Sequence, residues 1–172
     1  LIAWNGWLSV SASRLLPNYE FVGFEQYALL WESDRFHVAL SNMAIFGSLF
    51  IGGAMALGLL LAVLLDQKIR AEGVLRTIYL YPMAISFIVT GTAWKWILNP
   101  GLGLEHLVQQ WGWTTFSFDW LVNPDRAIYT VVIAGVWQSA GFVMALFLAG
   151  LRGIDDSIIK AAQIDGASQP RI

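Results

Sequence analysis

The side chains able to do chemistry are sparse in this sequence. His37 and His106 are its two histidines, they lie far apart, and there is no cysteine. Disulfides and thiolate metal sites are therefore excluded, and two distant imidazoles are a poor start for a metal centre. The sequence holds no G-x-x-x-x-G-K-[ST] phosphate loop, no H-E-x-x-H pair and no G-x-S-x-G elbow. Gly101 and Gly103 lack the rest of a dinucleotide fingerprint and read as a turn. What remains is non-covalent chemistry in two places. One is Gln138, set between Trp137 and Ser139 in an apolar stretch, with Ser86, Thr90 and Thr92 following Pro82 in another. The second is the segment Lys160-Ala161-Ala162-Gln163-Ile164-Asp165-Gly166-Ala167-Ser168 near the carboxyl end.

The elements that carry these residues are long and greasy. Of 172 residues, 57% are hydrophobic and 13% charged, with mean hydropathy +0.60. Soluble domains carry roughly 25% charged residues, so the composition indicates a membrane protein. A net charge of −2 offers nothing to nucleic acid. Three runs lack any charge: Met43–Leu65, Thr77–Trp94 and Ala127–Leu151, of 23, 18 and 25 residues. About 20 apolar residues in a helix cross roughly 30 Å of hydrocarbon. Spans are expected at about 37–65, 76–98 and 127–151, the second borrowing Lys95–Leu98 with the lysine snorkelling to the interface. The opening Leu1–Ala12 reads as the end of an earlier span, and Ser13–Phe36 as a polar link. The chain begins without Met and stops in a polar segment, so we read it as a fragment.

Orientation follows from lysine and arginine. Asp66–Arg76 carries Lys68, Arg70 and Arg76, and the tail after Leu151 carries Arg152, Lys160 and Arg171, so both are assigned to the cytoplasmic side. Trp94, Trp96, Trp111, Trp113 and Trp120 would then mark an outer interfacial belt.

Helices in lipid associate through small residues. Two stripes stand in the first full run, Ala44/Ser48/Gly52/Ala56 and Ala54/Gly58/Ala62; Gly141/Ala145/Ala149 forms a third in the last run. These faces are expected to bury against helices of this chain or of a partner. Pro82 is expected to kink or open the second run. Gln138 shares a face with Gly141 and Ala145. An unpaired amide in hydrocarbon is costly, so Gln138 must bond another helix, the backbone or a solute. No Asp, Glu, His or Arg lies inside the charge-free runs, which places the driving energy elsewhere. Near the end, Asp155, Asp156 and Ser157 can cap a helix starting near Ile158, and Gly166 can stop it. Two turns do not stand alone in water, so a docking surface is expected.

The segment "AAQIDGAS" resembles the EAA loop of bacterial ATP-binding-cassette importer permeases, E-A-A-x-x-D-G-A; Ala161, Ala162, Asp165, Gly166 and Ala167 match, and Lys160 stands where the family has Glu. "FVGFEQY" (21–27), "WKWILNP" (94–100) and "LAGLRGID" (148–155) resemble the sugar-importing branch, the maltose and glycerol-phosphate type. The resemblance implies an all-α polytopic helix bundle, part of a type I importer permease in the bacterial inner membrane. It implies that residues 152–172 couple to cytoplasmic ABC ATPase subunits, which hold the ATP and Mg; no cofactor is expected in this chain. It further implies a second, different permease subunit and a periplasmic solute-binding protein. From the residues alone, Gln138, Trp137, Ser139, Ser86 and Thr90 are candidates for a substrate pathway. A membrane-embedded enzyme, or a structural membrane subunit, with its active parts outside this stretch, is the alternative.

Overall fold

The computed structural model describes residues 1–13, 18–67 and 70–166. Among these residues every regular element is helical, apart from one antiparallel bridge between Ser11 and Phe21. The helices are α1 (Ile2–Ser9), α2 (Glu25–Trp31), α3 (Asp34–Asp66), α4 (Glu72–Ala84), α5 (Phe87–Ile97), α6 (Leu104–Gln110), α7 (Ala127–Arg152) and α8 (Asp156–Ile164). The fold is all-α.

The chain divides into two compact units, Leu1–Ile45 and Phe46–Ile172. In the first, the expected polar link is a small folded piece. Ala12 N donates to Glu20 O at 2.8 Å and Val22 N to Val10 O at 3.0 Å, pairing Val10–Ala12 with Glu20–Val22. Trp7 stacks on Phe21 with centroids 6.1 Å apart, and Tyr27 Oη donates to Ser9 Oγ at 2.7 Å.

The second unit is built on α7. Its core is Ala62 and Leu65 of α3 with Met144 and Leu148 of α7, flanked by Leu75, Tyr79 and Leu80 of α4. Close approach is what the small residues supply. A Cβ on Gly141 would stand 1.9 Å from the carbonyl oxygen of Tyr79, so α4 lies backbone to backbone on α7. A Cβ on Gly58 would stand 2.6 Å from Val143 Cγ1 and 3.0 Å from Met144 N. The stripe Ala54/Gly58/Ala62 is buried, whereas Gly52 and Ala56 of the other stripe are exposed. In the third stripe Gly141 is buried, Ala145 half-buried and Ala149 exposed.

By length and composition α3 and α7 can each cross a membrane. The expected single helix at about 76–98 is instead a pair, α4 and α5, meeting at 101°. The helix runs on through buried Pro82 and opens three residues later. Ile85 (φ −83°, ψ 137°) and Ser86 (φ −57°, ψ 139°) are both extended, which ends one helix and starts the next. Pro82 removes one amide donor, but the opening itself sits where α7 supplies a replacement bond.

Between α5 and α7 the chain is pinned by side chains. Asn99 Oδ1 accepts Gly101 N at 2.9 Å and Leu102 N at 3.2 Å. Glu105 Oε2 accepts Phe118 N at 2.9 Å, and Gln109 Nε2 donates to Phe116 O at 2.9 Å. Asn123 Oδ1 accepts Asp125 N at 3.0 Å just ahead of α7.

Candidate functional site: a broken helix and a terminal coupling helix

The break between α4 and α5 leaves backbone carbonyls without helical partners. One of them is satisfied from α7: Gln138 Nε2 donates to Ile85 O at 2.9 Å. Gln138 is 6% exposed, so this bond is made away from solvent. The same side chain borders a hollow of about 190 Å³ with Met83, Phe87, Ser139 and Phe142. Gln138 and Ser139 therefore meet the broken helix on one side of α7.

The other sequence candidates are dispersed. Trp137 lies edge-on to Trp94, centroids 5.7 Å apart, and both line a separate apolar hollow of about 530 Å³ with Trp120 and Tyr129. Ser86 is exposed at the N-cap of α5 and makes no side-chain cap bond. Thr90 is buried, and among the described residues its hydroxyl has no hydrogen-bond partner, unlike Thr92, which bonds Ile88 O at 2.9 Å. The five tryptophans expected to form one belt also divide. Trp96, Trp111 and Trp113 are exposed, whereas Trp94 and Trp120 turn toward the apolar hollow.

The terminal segment is built differently. Asp155 Oδ1 accepts Ser157 N at 2.8 Å, which starts α8 with a side-chain cap. That backbone bond, reinforced by the Ser157 hydroxyl, holds the Asp155 carboxyl below the usual carboxylate range. Lys160 and Ala161 are exposed. So are Ile154, just ahead of α8, and Ile158 and Ile164 on the helix itself, among polar neighbours. Asp165 N still bonds Ala161 O at 3.0 Å, and Gly166 then takes φ +78°. That left-handed conformation suits glycine and ends the helix. Ala167 and the side chain of Ala162 lie outside the described residues. Among the described residues no group of three or more His, Cys, Asp and Glu is placed to hold a metal ion.

Sequence reasoning missed the partners of two residues. It counted Arg152 only as a charge and left Glu72 aside; the structure joins them at 2.8 Å. The signal was weak: a cation at one helix end and a carboxylate at the start of another, 80 positions apart.

Known proteins are similar to this chain in sequence and in fold. The family model described as "Binding-protein-dependent transport system inner membrane component" matches residues 54–172. A probable ABC transporter permease of Pyrococcus horikoshii is 41% identical over 97% of the chain and 58% of its own length. The xylose/arabinose import permease XacH of Haloferax volcanii is 40% identical over 90% of the chain and 49% of its own length. The chain thus spans about half the length of the curated relatives it matches. A crystal structure of a bacterial ABC transporter involved in alginate import superposes with TM-score 0.81 at 20% identity, over 99% of this chain and 57% of that one.

Proposed function

Because the chain belongs to the binding-protein-dependent transport system inner membrane component family, we propose that it is part of the permease subunit of an ATP-driven importer for a sugar or sugar-like solute. The observation that carries this reading is α8. It is a nine-residue helix with exposed isoleucines, ended by Gly166 at φ +78°, directly after the spanning helix α7. An isolated helix of this length is marginal in water, and Ile158 and Ile164 stay exposed among the described residues. A groove on a cytoplasmic ABC ATPase supplies both needs.

In this reading Lys160, Ala161, Ala162, Asp165, Gly166 and Ala167 form the contact with the ATPase, which holds ATP and Mg. Closure of the ATPase pair moves α8 and, through α7, switches the bundle from inward- to outward-facing. A second, different permease subunit completes the translocation path across the inner membrane. A periplasmic binding protein delivers the solute to the outer loops. Lys160 in place of the family's Glu reverses one charge at the contact, so its partner on the ATPase carries an acceptor or an acidic group.

Support for a carbohydrate comes from the names of the relatives and from the chemistry beside the break. Gln138 and Ser139 offer hydrogen-bonding groups next to Phe87 and Phe142, the combination that hydroxyls and ring faces use. Trp137, Ser86 and Thr90 belong to the same pathway in the moving bundle.

The test is reconstitution of the full-length subunit with its ATPase and second permease. The expected result is co-purification and ATP hydrolysis stimulated by binding protein loaded with xylose, arabinose or an alginate oligosaccharide. An intact complex that ignores every loaded binding protein would remove the sugar assignment. A subunit that retains no ATPase would remove the importer itself.

A further inference from the structure

The ends of three helices converge on one guanidinium. Arg152, the last residue of α7, places NH1 2.8 Å from Glu72 Oε1 in the first turn of α4. Its Nε lies 3.5 Å from Asp66 Oδ1 at the end of α3, and its NH2 donates to Leu65 O at 3.3 Å. Glu72 also faces Arg76, one turn along α4, at 3.8 Å. The charges suit the backbone: a cation sits at the carbonyl ends of α3 and α7, and a carboxylate at the amide end of α4. The fork geometry of arginine lets one side chain hold three partners.

We propose that Arg152 is a positioning residue that ties the coupling helix to the broken helix, so that a displacement of α8 moves α4 together with α7. This rests on the importer reading above. Arg152 stands three residues before the α8 cap Asp155, and the connection is not slack. Gly153 N donates to Ala149 O at 3.1 Å and to Gly150 O at 3.2 Å, Ile154 N donates to Leu151 O at 3.3 Å, and Ile158 N to Asp155 O at 3.0 Å. Motion of α8 is therefore handed directly to the Arg152 backbone.

α4 is then fastened to α7 at three heights. Arg152 holds Glu72 at its start, Gly141 admits the backbone at Tyr79, and Gln138 holds Ile85 at its end. A lever held at both ends transmits displacement to the break at Ile85–Ser86, beside the hollow that Gln138 and Ser139 line. An exposed ion pair adds little to folding stability, and Arg152, Asp66 and Glu72 leave 41%, 45% and 31% of their side chains exposed. The network's role lies in geometry, which separates it from a structural one.

The experiment uses the full-length permease assembled with its ATPase and second permease in nanodiscs. This stretch has no cysteine of its own, so Ala84→Cys, at the exposed end of α4, serves as reporter in an otherwise cysteine-free subunit. Its labelling rate by a soluble thiol reagent is compared without nucleotide and after trapping with ATP and vanadate. The expected result is a change on the order of tenfold in the parent protein, shrinking to less than about twofold in Arg152→Gln and in Glu72→Gln. The double variant should be no worse than either single one, because both remove the same link. Parental responses in both variants overturn the proposal, and so does a normal response in Glu72→Gln when Arg152→Gln fails to assemble. Protection of Lys160→Cys by the ATPase reports docking separately. Without that protection the importer reading fails; with it, an unaltered response at Ala84→Cys sinks only the link through Arg152.

Discussion

The side-chain amide of Gln138 donates to the carbonyl of Ile85 at 2.9 Å and so joins α7 to the point where α4 gives way to α5. A polar residue in the middle of an apolar helix thus stabilises an irregular stretch of another helix. Replacing it tests how much of its role is packing. Gln138→Leu removes the donor and leaves a half-buried carbonyl without it, at a cost of about 1 kcal/mol. We expect lower resistance to unfolding in detergent together with an altered solute preference in uptake assays. Loss of folded protein with an unaltered preference would assign Gln138 to packing alone.

Close backbone approach gives a second prediction. Gly141→Ala drives a methyl group against the Tyr79 carbonyl, with no flexible side chain to yield, and should part α4 from α7. Gly52→Ala meets nothing within 4 Å and should leave the yield and melting of the purified subunit unchanged. Equal tolerance at the two positions would show that α4 and α7 do not pack as described.

Gly166 tests the terminal segment. Its φ of +78° is strained for any residue with a Cβ, by about 1–2 kcal/mol, and among the described residues nothing stands within 4 Å of where that Cβ would be. The expected effect of Gly166→Val is therefore a mis-aimed end of α8 rather than a clash. ATP hydrolysis should persist while uptake per ATP falls, and the subunit should remain in the membrane. Full uptake by Gly166→Trp would contradict a docking role for this turn.

The cap of α8 carries a pH dependence of defined sign. The Asp155 carboxyl is depressed by its bond from Ser157 N–H. Its contribution to α8 is therefore complete above the ordinary Asp value of about 3.9 and disappears as pH falls through the lowered one. Amide exchange in α8 should show constant protection from neutral pH down to mildly acidic conditions. Asp155→Ala should lose protection throughout that range, while Asp155→Asn, which keeps an acceptor, should lose less. Exchange in the parent protein that accelerates already between pH 7 and 5 would mean that a different group holds the helix start.

Much of this architecture could be read along the chain. The charge-free runs fall inside α3, across α4 and α5, and inside α7, because an uninterrupted apolar stretch in lipid must satisfy its own backbone, and a helix does so locally. Asp155 and Gly166 were readable for the same reason: caps and left-handed turns are decided by a few adjacent residues. The apolar hollow shared by Trp94, Trp120 and Trp137 was not readable, since these residues come from three separate segments.

Sequence by itself determined that this is an all-helical membrane chain with a short capped helix after its last span, since periodicity, charge and turn chemistry act over a few residues. Tertiary structure alone decided which small-residue stripe is buried, that the second run breaks at Ile85 rather than at Pro82, and that Arg152 meets Glu72. Each of these depends on which faces of distant helices come side by side. The Ile85 carbonyl leaves its helix where α7 brings it a donor, and no local pattern carries that information.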